Sequence, residues 1–158
     1  MSMTRILGLD FGTRRVGVAV SDPRHLLATP VEVYHRRDLT QDARHFRQIV
    51  ADNDVDRIVV GLPLHTGGGE GDLAKAARAW GTWIAGITGL PVSYYDERYT
   101  SVEAEETLRA AGLKAKKRQE LRDMLAARIL LQNYLDAGCP LDEATATSLM
   151  DQPIPDEG

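Results

Sequence analysis

The chain's 158 residues suffice for one well-buried domain and not for two of ordinary size, and its 43% apolar content contains no run near the ~20 residues that would cross a membrane. Cys139 is the only cysteine and no signal-peptide pattern precedes the first strand-like run, so an intrachain disulfide is excluded and a reducing, cytoplasmic setting is expected. The net charge of −4 disfavours a polyanionic partner only on average: residues 139–158 hold five acids and no Lys or Arg, and the remaining 19 basic and 18 acidic residues leave local clusters at Arg14-Arg15, Arg36-Arg37 and Lys114 to Arg118.

In chain order, β-rich runs are predicted at about 4–11, 15–21 and 28–35, the first two close enough for a hairpin and the third set off by the turn signal Asp22-Pro23. Helical spacing follows over 39–52. A continuously apolar strand comes next at 57–61, of the kind buried on both faces. The glycine-rich stretch 65–71 reads as a loop, with His65 on it, and a helix is predicted over 72–88, in which Trp80 and Trp83 are packing residues. A short strand at 92–95 ends in Asp96-Glu97-Arg98. A helix over 101–111, a basic connector at 113–118 and a long helix over about 119–137 complete the pattern, and the Pro- and acid-bearing tail 139–158 is expected to be flexible. Hairpin strands followed by alternating strands and helices predict an α/β fold, a mixed sheet with helices on both faces.

Three carboxylates stand out. Asp10 ends the first apolar strand at a Gly12-Thr13-Arg14-Arg15 turn, where an ionised group is costly without a cation or hydrogen bonds to compensate it. A second acid ends the last strand; alternation groups Asp96 with Tyr94 and Glu97 with Tyr95 and leaves the choice between them open. Ligands collect at the carboxyl ends of parallel strands, so both strand ends could face one crevice. At 100° per residue, Asp123 falls in line with Ala127, Leu130 and Tyr134, an inward stripe on which a carboxylate needs a counter-charge. Acids converging from separate elements suit Mg²⁺ or Mn²⁺, and two such ions ~3.5–4 Å apart support phosphodiester cleavage. The turn residues Thr13, Arg14 and Arg15, and the cluster Lys114, Lys116, Lys117 and Arg118, are candidate contacts to a phosphate backbone. The four histidines show no zinc spacing; His25, His35 and His45 are expected to be exposed.

Together, Gly8-Leu9-Asp10-Phe11-Gly12-Thr13-Arg14-Arg15-Val16-Gly17-Val18-Ala19 with Ser21-Asp22, Val60-Gly61-Leu62-Pro63, Asp96-Glu97-Arg98-Tyr99-Thr100-Ser101, and Asp123 followed by Ala126-Ala127, Ile129-Leu130 and Tyr134-Leu135 resemble the YqgF/RuvX family in order and spacing over nearly all of 4–138. The resemblance implies an RNase H-like fold: a five-stranded mixed sheet, its first three strands antiparallel, in a domain spanning 1–138. It implies a divalent-metal nuclease, with Asp10, Glu97 and Asp123 matching the family's acids and Arg15 and Arg98 its arginines. The substrate implied is structured nucleic acid: the 5′ end of precursor 16S rRNA, in the context of ribosomal particles, or four-way DNA junctions of the kind cut by Holliday junction resolvases. A monomer or homodimer fits. Two departures stand out: Leu64 to Gly69 replaces an Asn-rich turn, and Ser101 a more usual threonine. Competing readings are a non-catalytic ribosome- or transcription-associated binding protein, and an actin/hexokinase-like phosphotransferase, whose phosphate loop Asp10-Phe11-Gly12-Thr13 also resembles but whose two lobes exceed this length.

Overall fold

Alternating and continuous apolar runs at the N-terminus form three antiparallel strands, β1 (Arg5–Phe11), β2 (Arg15–Ser21) and β3 (Ala28–His35), in a computed structural model that describes residues 4–63, 71–97 and 106–140. They are followed by α1 (Leu39–Asp52), β4 (Val55–Leu62), α2 (Asp72–Thr88), β5 (Val92–Asp96) and a long helix, α3 (Ala115–Asp136). The sheet order is β3-β2-β1-β4-β5, with β4 and β5 parallel to β1. Asp10 therefore ends the central strand, and the carboxyl ends of β1, β4 and β5 share one edge with the start of β2. The mixed five-stranded sheet with helices on both faces is the one expected.

Local chemistry explains the element ends. Asp38 caps α1, its carboxylate accepting from the Gln41 amide at 2.7 Å, and α2 stops at Gly89 in the left-handed conformation. The Asp22 carboxylate accepts from the amides of Arg24, Leu26 and Leu27, which closes the β2–β3 turn. Strand alternation sends Leu7, Leu9, Phe11, Val16, Val18 and Val60 toward α1 and α2, where Phe46, Trp80 and Ile84 complete the larger core. The other face carries Ile6, Ala19 and Val59 against Ala127, Leu131 and Tyr134 of α3.

Three expectations need correction. The basic stretch is not a connector: α3 begins at Ala115, so Lys116, Lys117 and Arg118 form its first turn behind Lys114 at the N-cap. Lys and Arg are good helix formers, and the Arg118 guanidinium braces this turn by donating to the Leu113 carbonyl at 2.7 Å. β4 extends at both ends of the expected strand, pairing with β1 from Val55 onward. Of the described histidines, only His35 is exposed; His25 bonds the Thr4 carbonyl, and His45 stacks on Tyr34. The helix expected over 101–111 is described only over 106–110. The loop with His65, Arg98 and the tail from 141 onward lie outside the described residues.

Candidate active site

Asp10, Gly17, Gly61 and Glu97 all project to the α3 face at the carboxyl edge of the sheet. Asp10 lies opposite Gly17 in the β1–β2 register, and Gly61 lies beside Tyr95 in β4–β5. Each glycine makes room for one acid. A Cβ on Gly17 would stand 2.5 Å from the Asp123 carbonyl oxygen and 3.1 Å from Ala127 Cβ, so hydrogen at this position lets α3 settle against the strand beside Asp10. A Cβ on Gly61 would collide with the Glu97 carboxyl and stand 2.9 Å from Leu130. Glu97 thus lies back over β4 toward Asp10, its backbone amide fixed by the Leu62 carbonyl at 3.1 Å. Asp96, by contrast, is exposed at the strand end. The choice left open by alternation is resolved by packing.

The acids are not equivalent. Glu97 and Asp10 are hydrogen-bonded to each other, and burial, then the charge of Asp10, then this bond hold the Glu97 carboxyl far above its ordinary range. Burial also raises Asp10, while the bond from Glu97 opposes that rise and the Asp123 charge adds to it. Both carboxyls are raised, and the buried pair shares a proton between Glu97 and Asp10. Asp123 Oδ2 lies 3.2 Å from Arg15 Nη2, too poorly aligned for a hydrogen bond, and this buried oxygen has no hydrogen-bond partner. A shared proton and an orphaned carboxylate oxygen are what hard oxygen ligands show in the absence of their cation, so this donor set fits Mg²⁺ or Mn²⁺. Among the described residues no three His, Cys, Asp or Glu side chains form a ready-made metal cluster. Asp123, drawn to Arg15, would have to turn toward Asp10 to close one.

The acids lie in a crevice of about 380 Å³ that Thr13, Arg14, Arg15, Pro63 and Leu73 also line. Thr13 and Arg14 are exposed at its rim. Lys114, Lys117 and Arg118 stand outside the wall, the first about 13 Å along α3 from Asp123 at 1.5 Å per residue. Sequence reading missed three supporting residues. Gly17 and Gly61 could have been found as glycines inside otherwise apolar strands, a mark of close approach. Arg36 left no such signal: its guanidinium donates to the carbonyls of Gly12 and Thr13 at 3.2 and 3.0 Å and lies 5.3 Å over the Phe11 ring, while its amide donates to Arg14 O at 2.8 Å. It fixes the turn that presents Thr13 and Arg14.

Residues 4–137 match RuvX, a family described as a Holliday junction resolvase. A Koribacter versatilis protein named "Putative pre-16S rRNA nuclease" is 42% identical over 132 residues, 84% of this chain and 86% of that one. A Streptomyces coelicolor protein of the same name is 44% identical over 138 residues, 87% and 83% of the two chains. In fold, the chain is similar to Thermus thermophilus RuvC in complex with a Holliday junction substrate, with a TM-score of 0.53 at 17% identity over 86% of this chain and 97% of the other. It is also similar to the fowlpox virus resolvase solved with Holliday junction DNA, with a TM-score of 0.54 at 12% identity over 87% and 100%. These likenesses establish the RNase H-like fold.

Proposed function

The chain belongs to the RuvX family, and we propose that it is a divalent-cation-dependent nuclease whose substrate is the 5′ region of precursor 16S rRNA, met in the cytoplasm on ribosomal particles. The observation that carries this reading is the packing of Asp10, Glu97 and Asp123 around one crevice, with a proton shared by two of them and an unbonded oxygen on the third. Asp10, at the end of the central strand, would hold Mg²⁺ or Mn²⁺ together with Glu97 and Asp123. A cation held there would supply activation of water and stabilisation of the leaving oxygen. Thr13 and Arg14, on the turn braced by Arg36, grip the backbone at the rim, and Arg15 stands beside Asp123 to meet the phosphate. The basic first turn of α3 extends the candidate contact surface; the further candidates Arg98 and His65 lie outside the described residues.

The family's description and the names of the curated relatives point to different substrates, which makes four-way DNA the second reading. Purified protein with Mg²⁺ or Mn²⁺ is to be tested on precursor rRNA and on a four-way junction, beside Asp10→Asn. The expected result is metal-dependent cleavage of the RNA by the native chain and none by Asp10→Asn. Cleavage of the junction alone, by a dimeric protein able to nick paired strands, moves the assignment to the second reading. Equal cleavage by Asp10→Asn refutes the site.

A further inference from the structure

A second concavity, of about 680 Å³, lies between the edge strand β3 and α1, outside the acidic crevice. His35, Arg37, Gln41, Arg44, His45 and Gln48 line it, and none of them serves the site described above. The groove is a built feature. Asp42, 2% exposed, accepts from the Tyr34 hydroxyl at 2.6 Å and from the Arg37 amide at 2.9 Å, locking the end of β3 to α1. His45 stacks on Tyr34 at 4.0 Å with 12° between the rings, and its imidazole meets the Glu32 carboxylate. The neighbouring acids are thereby engaged within the fold: Asp42 by Tyr34 and the backbone, Glu32 by His45, and Asp38 by the α1 amide that it caps. The exposed guanidinium groups of Arg37 and Arg44 have no carboxylate partner among the described residues. Gln41, Arg44 and Gln48, at i, i+3 and i+7, present donors along one helix face.

The groove is linked to the crevice rim through the end of β3. His35 pairs with Arg15 across β2–β3, and the next residue, Arg36, holds the Gly12-Thr13 turn. Thr13, Arg14, His35, Arg37 and Arg44 are all exposed, and each bears a hydrogen-bond donor. We propose that the β3–α1 groove binds the sugar–phosphate backbone of the nucleic acid flanking the cleaved segment, making it a second, remote anchor for the substrate. Two unpaired guanidinium groups suit phosphate oxygens, and contacts of this kind set register without reading sequence. This inference rests on the nuclease reading for the identity of its ligand.

The test is direct binding of a long RNA stem-loop and of a short oligonucleotide spanning only the crevice, both fluorescently labelled, in chelator and over a range of salt. Arg37→Ala/Arg44→Ala is compared with Arg24→Ala/Arg128→Ala, which removes equal charge from other exposed positions. Both groove arginines are exposed, and Arg37 holds Asp42 through its backbone alone, so the variant is expected to fold with an unchanged Tm. The expected result is an affinity loss of roughly tenfold or more for the stem-loop and none for the short oligonucleotide. The slope of log K against log salt should fall by about 1.4–1.8 for two lost phosphate contacts. Affinity and slope equal to those of the control variant, or an equal loss on both probes, overturn the proposal. Because binding is read without metal, the groove is decided even if the native chain cleaves neither RNA nor DNA, an outcome that would refute the nuclease reading separately.

Discussion

On the α1/α2 face of the sheet, large side chains fill the space: Trp80 sits 5.3 Å from Phe11 and 5.5 Å from Phe46, ring to ring, among Val, Leu and Ile. On the α3 face the strands present Gly8, Gly17, Ala19 and Gly61, and the helix lies close enough that a single methyl group on any of those glycines would collide with it or with Glu97. The first face contributes stability through buried area. The second uses small residues to bring a strand-end aspartate, a glutamate from a neighbouring strand and a helix aspartate into one crevice. The α3 face thus gives up side-chain volume at its glycines to make room for three acids, while the α1/α2 face fills the corresponding space with aromatic side chains.

If that division holds, substitutions on the two faces should fail in different ways. The largest effect is expected from Asp10→Asn, which should lower metal-dependent cleavage by roughly 10³-fold or more while leaving Tm in chelator unchanged or higher, since a buried charge is removed. Phe46→Ala should do the reverse: a cost of about 3–5 kcal/mol in denaturant unfolding, with cleavage per folded molecule preserved at low temperature. Gly61→Ala should fall between them. Displacing Glu97 should reduce cleavage on the order of 10²-fold, with a stability cost of about 1–3 kcal/mol from overpacking against Leu130.

The acidic face should also show a graded pH dependence. The Glu97 carboxyl is raised in the folded chain, so the native state holds a proton that the unfolded state releases above its ordinary value of 4.5. In chelator, stability should therefore be fully present below that value and decline as pH rises toward the elevated folded value, with a slope of at most ~1.4 kcal/mol per pH unit. Glu97→Gln should flatten this decline, and saturating Mn²⁺ should reverse it. A slope identical in Glu97→Gln and the native chain would dissociate Glu97 from the pair.

The strands, α1 and α2 were legible because their hydrophobic periods and stop signals agree with their tertiary roles. α3 begins at Ala115, four residues before the expected start, because Lys116 to Arg118 are helix-compatible residues that hydrophobic period cannot detect. Within the site, Asp10 and Asp123 could be read from an apolar strand ending in an acid and from an acid on an inward helix face. Strand alternation alone could not select Glu97 over Asp96, which only the family resemblance did, since the choice depends on the space above Gly61, a contact between strands. Arg36 was legible only as part of a basic cluster, and its bracing role was not, because it serves the turn across the sheet, twenty-three residues from Thr13 in sequence.

We propose that the small-residue face of the sheet holds a divalent cation among Asp10, Glu97 and Asp123. Anomalous scattering from crystals grown with Mn²⁺ tests it most directly. The expected result is a peak about 2.0–2.2 Å from oxygens of Asp10 and of at least one of the other two acids, with Asp123 turned away from Arg15 where it is the second ligand. A fully occupied Mn²⁺ site elsewhere, with Glu97 still hydrogen-bonded to Asp10, would contradict it.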